Sequence, residues 1–312
     1  MHPSLAKRGK GRFFNNDALL MNSLVTEDGR KMECMPNTGI IKNIGISILS
    51  VSASLIFFFF LLIPAVAEME NPTQVRVPIL LYHRFGHSVA DSMTVTTEVF
   101  ESHLEYLRKN GYTVIPLRQL VNYYRRKGPL PPGKSVVIVV DDGHKTVYTD
   151  MLPLVKKYRI PVTLFLYPSA ISNASYAMTW NELREIKKTG LFDLQGHTYW
   201  HPNFKKEKEN LKPGDYEKFV EMQLKKSRER LGKELGVNVD MLSWPFGIYD
   251  DWLIAKAAEA GYTAAFTIER HHAGSLDHVM KIPRYLLHDA DKGKVFERIL
   301  AGNSPSERMA MR

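Results

Sequence analysis

Val136-Val137-Ile138-Val139-Val140 places five β-branched residues in a row. Branching at Cβ restricts χ1 and suits a pleated backbone, and an unbroken apolar run fits a strand covered on both faces. The run ends in Asp141-Asp142-Gly143-His144. Asp and Gly are ordinary turn residues. A buried strand that closes on two adjacent carboxylates is less ordinary, and histidines recur elsewhere: Tyr82-His83 ends an earlier apolar run, and His197-Thr198-Tyr199-Trp200-His201 sets two imidazoles four residues apart.

The rest of the chain after residue 76 alternates strand and helix patterns. Strands are predicted over 77–82, 112–115, 162–167, 192–195, 241–244, 263–268 and 281–287. A helix is expected from the Thr96-Thr97-Glu98 cap to about Asn110, with Phe100, Leu104 and Leu107 on one face and Gly111 as its stop. Further helices are expected over 118–127, 147–158 (kinked near Pro153), 180–188, 215–235, 252–260 and 292–300. Repeated β-then-α units imply a mostly parallel sheet, and the length after the leader matches one α/β barrel rather than two domains.

Four regions follow. Residues 1–43 are a polar leader without periodicity, and disorder is expected there. Met35 followed by PNTGIIKN and the apolar run reads as an ordinary signal peptide, so residues 1–34 are expected to precede the true start. Residues 44–67 carry no charge and include Phe57-Phe58-Phe59-Phe60. They are long enough to span a bilayer, while Ala65 and Ala67 fit signal cleavage, so both a signal peptide and a membrane anchor stay open. Basic residues precede this segment and Glu68 and Glu70 follow it, which predicts an exported C-terminal part, secreted, periplasmic or at the cell surface. Residues 68–76 are a linker, and 77–312 form a single catalytic domain.

Net charge is +9, and residues 68–312 hold 35 Lys/Arg against 29 Asp/Glu. The basic residues are interleaved with acids, as in Lys205-Lys206-Glu207-Lys208, and read as solvated helix faces rather than a nucleic-acid site. The single cysteine, Cys34, precedes the apolar segment. Any metal in the C-terminal part must therefore use His, Asp or Glu.

In an α/β barrel the chemistry sits at the C-terminal strand ends. His83, Asp141, Asp142, His197, Pro245, Phe246 and His288 all fall there. One carboxylate with His197 and His201 makes a three-ligand set with room for water, provided 197–201 forms a helical turn that puts both imidazoles on one face. The second carboxylate is left to act as a base. A backbone N–H near Phe246 can support an oxyanion, and a histidine can protonate a leaving amine. Trp180, Trp200 and Trp244 offer aromatic faces to a sugar, while ordinary packing is the stronger reading of each. His144, His271, His272 and His278 read as structural or surface residues.

Val140-Asp141-Asp142-Gly143, His197-Thr198-Tyr199-Trp200-His201 and Trp244-Pro245-Phe246-Gly247 resemble, in order, the motifs of polysaccharide deacetylases, the NodB-homology carbohydrate esterases. The resemblance covers about residues 76–290. It implies a distorted (β/α) barrel and metal-dependent removal of N-acetyl groups from an N-acetylglucosamine-containing polysaccharide. It assigns the general base to Asp141, the metal to Asp142, His197 and His201, and an oxyanion donor to the Phe246 backbone. Pro245, next to Phe246 at the strand end, is a further candidate for contact with the substrate. Zinc is the expected metal, with cobalt or nickel accommodated by the same ligands. Two positions depart from the pattern. The family's arginine that orients the base falls at Ser243 here, and Arg284 is the available substitute. The acid is either His288, in Leu286-Leu287-His288-Asp289, or His83, in Pro78-Ile79-Leu80-Leu81-Tyr82-His83. The His83 segment is similar to the exported poly-β-1,6-N-acetylglucosamine deacetylases and is preferred.

The expected partner is thus an N-acetylated polysaccharide, with the membrane added if residues 44–67 stay uncleaved, and no nucleic acid. Two other readings remain: a metal-dependent hydrolase of another amide or an O-acetyl ester, and a catalytically inactive carbohydrate-binding protein.

Overall fold

The computed structural model describes residues 75–302. The leader, Cys34, the apolar segment 44–67 and most of the 68–76 linker lie outside the described residues. In chain order the elements are β1 (Arg76–Val77), β2 (Ile79–Tyr82), β3 (Arg84–Gly86), β4 (Thr94–Thr96), α1 (Thr97–Lys109), β5 (Thr113–Val114), α2 (Leu117–Tyr124) and β6 (Ser135–Val140). A π-helical turn, Val147–Met151, leads into α3 (Leu152–Tyr158), then β7 (Val162–Leu166), α4 (Trp180–Lys188), β8 (Phe192–Gly196), α5 (Phe204–Asn210), α6 (Pro213–Leu235) and β9 (Met241–Ser243). A 3-10 turn, Pro245–Gly247, precedes α7 (Asp251–Glu259), β10 (Ala264–Phe266), β11 (Ala273–Gly274), β12 (Tyr285–Leu286) and α8 (Lys294–Leu300).

The main sheet runs β10-β9-β8-β7-β6-β2-β12, and every pairing along it is parallel. The stretch before and through β12 joins its two edges. Ile282 bridges Phe266 of β10, with its N–H donating to the Ala265 carbonyl at 2.8 Å. Three residues later, Tyr285 and Leu286 pair with Leu80 and Leu81 of β2. The sheet therefore curls into the distorted (β/α) barrel that the alternating pattern implies.

Side-chain alternation divides each strand between two apolar layers. Leu80, Tyr82, Val136, Ile138, Val140, Leu164 and Leu166 pack with the buried faces of the helices. Ile79, Leu81, Val137, Val139, Phe165, Met241, Phe266 and Ile282 form a second cluster inside the curl, closed below by Leu117, Leu120 and Val121 of α2. Both layers are built from residues that lose their water on folding, at about 25 cal/mol per Å² of apolar surface.

Local chemistry sets the helix ends. The Thr96 side chain caps α1 by accepting from the Val99 N–H, and Arg108 and Lys109 sit in its last turn, where cations suit the helix dipole. α4 starts on a complete capping box, Thr179 with Glu182. α6 stops at Gly236, which takes φ 60°.

Four details differ from the sequence expectations. Pro78 has no N–H to give, so the 77–82 strand splits into β1 and β2. The break in the 147–158 helix is a π-turn; Pro153 lies in the first turn of α3, where a missing N–H costs little. The 281–287 strand contracts to β12 plus the Ile282 bridge. β3, β4, β11 and α5 were not expected at all. Among the described residues no helix is long and apolar enough to cross a membrane.

Candidate active site

The residues at the upper ends of the strands continue the inward-facing alternation. His83 lies two residues beyond Leu81, Asp141 beyond Val139, Tyr167 beyond Phe165, Ser243 beyond Met241 and Arg284 beyond Ile282. A period of two therefore delivers five polar side chains to one end of the barrel interior. There they meet a cavity of about 540 Å3 lined by His83, Asp141, Asp142, His197, His201 and Phe246, together with other side chains.

Asp141 is almost fully buried, and so is Arg284. Arg284 donates to both carboxylate oxygens, Nη1 to Oδ1 at 2.9 Å and Nη2 to Oδ2 at 2.9 Å. Its Nε donates to the Thr267 carbonyl at 2.8 Å, and its guanidinium lies 5.6 Å from the Phe165 ring centroid. The Ser243 hydroxyl adds a third donor to Asp141, at 2.7 Å from Oδ2. Burial works against the Asp141 charge, but Arg284 outweighs it and holds the carboxyl below the usual carboxylate range. Arg284 thus grips the Asp141 carboxylate from the segment that closes the barrel.

Asp142 takes φ 74°, turning its carboxylate away from Asp141. Gly143 must follow: it takes φ 76°, and a Cβ there would stand 2.7 Å from Leu166 Cδ2. Asp142 Oδ1 lies 3.5 Å from His197 Nε2 and 3.7 Å from His201 Nε2. The ligand atoms of these three residues lie within 4.8 Å of one another. Oδ1 is buried and accepts no hydrogen bond. His197 Nδ1 donates to the Ser243 carbonyl at 2.7 Å, which leaves Nε2 with its lone pair turned to Asp142. An orphaned carboxylate oxygen facing two imidazole nitrogens fits a divalent cation of the zinc class.

The histidine pair is not presented by a helical turn. Thr198 and His201 both take φ 62°, and the segment between them bends without helical hydrogen bonds. The bend is held from outside. Gln223, buried on α6, accepts from the N–H groups of Tyr199 at 3.1 Å and Trp200 at 3.0 Å through one side-chain oxygen. Thr198 Oγ1 accepts from the His201 N–H at 3.1 Å. This carries both imidazoles to the same side, with ring centroids 4.5 Å apart. Burial, and then the neighbouring His197, push His201 down to about 4. For His197 burial is outweighed by the Asp141 and Asp142 carboxylates, and its value is raised.

His83 lines the cavity, and its buried Nδ1 has no hydrogen-bond partner. Burial lowers its pKa against the opposing pull of Asp141 and Asp142. His288 lies outside the cavity lining and its Nδ1 donates to the Ser92 carbonyl at 2.7 Å. Phe246 lines the cavity at φ 56° in its 3-10 turn and meets His201 edge-on at 4.6 Å. Trp244 is buried against the cavity, its indole N–H donating to the Met280 carbonyl at 2.9 Å. Pro245, Trp180 and Trp200 are not among the lining residues. Pro245 is buried, Trp180 lies beneath the Arg230 guanidinium, and Trp200 is half exposed against Phe219.

Several lining residues carried no expectation. Tyr167 and Tyr176 share a hydrogen bond between hydroxyls at 2.9 Å, and Tyr176 stacks on His144, itself read as structural from the sequence. Tyr167 had a readable signal in its inward register; Tyr176 sits in a loop and had none. Gln223 also had one, as an amide on the apolar face of α6 beside Val220 and Leu224.

Comparison with known proteins follows the same lines. Residues 129–265 match the family model described as polysaccharide deacetylase. A poly-beta-1,6-N-acetyl-D-glucosamine N-deacetylase of Staphylococcus aureus is 28% identical over 200 residues, 63% of this chain and 68% of that protein. Among solved structures, a Streptococcus pyogenes deacetylase in complex with acetate superposes with TM-score 0.65 at 22% identity, over 75% of this chain and 100% of the other. IcaB from Ammonifex degensii gives 0.63 at 22% identity, over 73% and 97%. These two likenesses are of fold.

Proposed function

We propose that this chain is a polysaccharide deacetylase that hydrolyses N-acetyl groups on an N-acetylglucosamine polymer of the poly-β-1,6-linked kind. One observation carries the reading: the Asp142, His197 and His201 cluster stands beside a second carboxylate, Asp141, that is fixed by Arg284 inside the same cavity as His83. The name of the Staphylococcus aureus relative supports the polymer class.

Asp142, His197 and His201 would hold a divalent metal, and their donor types suit zinc. Bound there, such an ion would supply Lewis-acid chemistry to the acetyl carbonyl and to water. Asp141 takes the proton of the attacking water, because its carboxylate is ionised and its plane is locked. The water oxygen bonds to the acetyl carbon, and the C–N bond breaks. His83, carrying a proton when substrate is bound beside the Asp141 and Asp142 carboxylates, gives it to the departing amine; acetate and a free amino sugar leave, Asp141 releases its proton to solvent and His83 takes one up. The Phe246 N–H, in its left-handed turn at the cavity wall, supports the oxyanion. Trp244, Met93 and Leu286 give the cavity an apolar side that suits an acetyl methyl. Residues 44–67 carry the domain out of the cytoplasm.

The test is acetate release by residues 68–312 from β-1,6- and β-1,4-linked N-acetylglucosamine oligomers, with chelator, with added zinc, and with Asp141→Asn. Chelator-sensitive release, lost in the variant and faster on the β-1,6 oligomer, is expected. Metal binding without release from either oligomer would move the reading to another acyl substrate. Neither metal binding nor release would leave a carbohydrate-binding protein.

A further inference from the structure

Ser243 occupies a position that the deacetylase reading does not use. Its hydroxyl donates to Asp141 Oδ2 at 2.7 Å and accepts from Arg284 Nη2 at 2.8 Å. Its carbonyl accepts from His197 Nδ1 at 2.7 Å. All four residues are buried. One residue of β9 therefore touches both the carboxylate proposed as base and an imidazole proposed as ligand. The two contacts are chemically independent, since one uses the side chain and the other the backbone.

We infer that Ser243 is a positioning residue that selects which oxygen of Asp141 accepts the proton, while its carbonyl sets the orientation of His197. This rests on the deacetylase reading above. Each carboxylate oxygen offers two lone pairs. Oδ2 spends both, one on Arg284 and one on Ser243, whereas Oδ1 accepts from Arg284 alone. Oδ1 is thus the oxygen with capacity to spare. Arg284 by itself donates once to each oxygen and treats the two alike; the asymmetry comes from the serine. The position also demands a hydroxyl, because the group must donate to a carboxylate and accept from a guanidinium at the same atom. Among small side chains only Ser and Thr do both well.

The prediction separates the side chain from the backbone. In Ser243→Ala the carboxylate loses a charge-assisted hydrogen bond, and kcat should fall about tenfold. KM should hold, because no substrate contact is removed. Zinc content should hold too, because the carbonyl on His197 remains. Ser243→Thr should recover kcat to within about threefold, while Ser243→Val, of the same shape without the hydroxyl, should stay as slow as the alanine variant. Wild-type kcat in Ser243→Ala, or recovery by valine as good as by threonine, would overturn the inference, as would a loss expressed in KM alone.

A second arm does not depend on turnover. In urea unfolding of the metal-free protein, Ser243→Ala and Asp141→Ala should be coupled, the serine hydroxyl contributing stability only when the carboxylate is present. If the wild-type protein released no acetate, the function proposed above would fail on its own. The unfolding cycle would then decide the present inference: coupling supports it, and additivity removes it.

Discussion

His83 and His288 both stand at strand ends, but the groups around them differ. His83 lines the same cavity as Asp141 and Asp142, with a buried ring nitrogen that makes no hydrogen bond. His288 spends its Nδ1 on the Ser92 carbonyl and its backbone N–H on Asp291. A proton donor needs a free position within reach of the leaving group. His83→Ala should therefore lower kcat by about a hundredfold or more, the usual worth of a positioned acid, while His288→Ala stays within about threefold. Acetate release at saturating oligomer measures both. Equal losses, or a larger loss at His288, would reassign the acid. Residues also limit how far a sequence can be read. Asp142, Thr198, His201 and Phe246 all take positive φ although none is glycine. Such conformations cost about 1 kcal/mol or more each and persist only where the surroundings impose them. Nothing local to His197-Thr198-Tyr199-Trp200-His201 announces that bend; Gln223, on a helix after it, supplies the bonds that hold it.

At the scale of elements, strand and helix order was legible because the apolar periodicities are clean. The β-branched run became β6, and the 180–188 helix has its expected bounds. Short pieces were not. Among the described residues β3 and β4 pair only with each other, over Arg84–Gly86 and Thr94–Thr96, and three residues carry too little periodicity to read. The docking of α1 shows what a helix pattern leaves out. His103 lies on its buried face, where Phe100, Leu104 and Leu107 mark the apolar stripe. Its Nε2 donates to the Asp291 carbonyl at 2.8 Å, Nδ1 accepts from the Tyr82 hydroxyl at 3.0 Å, and the ring stacks on Phe296 of α8 at 3.9 Å. The neutral imidazole thus ties α1 to β2 and α8 with both nitrogens satisfied. Burial pushes its pKa down to about 4, from about 6.5 in the unfolded chain. The folded state disfavours the proton, so this contribution is complete above about pH 6.5. It is lost as pH falls from about 6.5 towards about 4, where the unfolded chain binds the proton first. His103→Gln removes the titration. The stability difference between wild type and variant, from urea midpoints, should therefore shrink by up to about 3 kcal/mol between pH 7 and pH 4. Parallel curves would show that His103 does not titrate across folding.

At the scale of the whole molecule, the proposed metal ligands are held by a ring of strands that closes without them. Asp142 follows β6, His197 and His201 follow β8, and β7 pairs with both strands between them. The 282–286 stretch then fastens β10 to β2. The apolar layers inside and outside this ring lie below the site and owe nothing to an ion. Metal binding should accordingly act on stability by mass action rather than by folding the chain, unlike small domains that collapse only around zinc. Chelator-treated protein is expected to keep its near-ultraviolet circular dichroism and a cooperative unfolding transition, while losing acetate release. Zinc at about a hundred times its dissociation constant should then add about 2.7 kcal/mol to unfolding. Asp142→Asn should show little of this shift, because the amide offers the cation a neutral oxygen in place of a charged one. Loss of the near-ultraviolet signal on chelation would mean that the ion organises the barrel mouth. A wild-type transition indifferent to zinc would remove Asp142, His197 and His201 as a metal site, and with it the hydrolytic role proposed for Asp141.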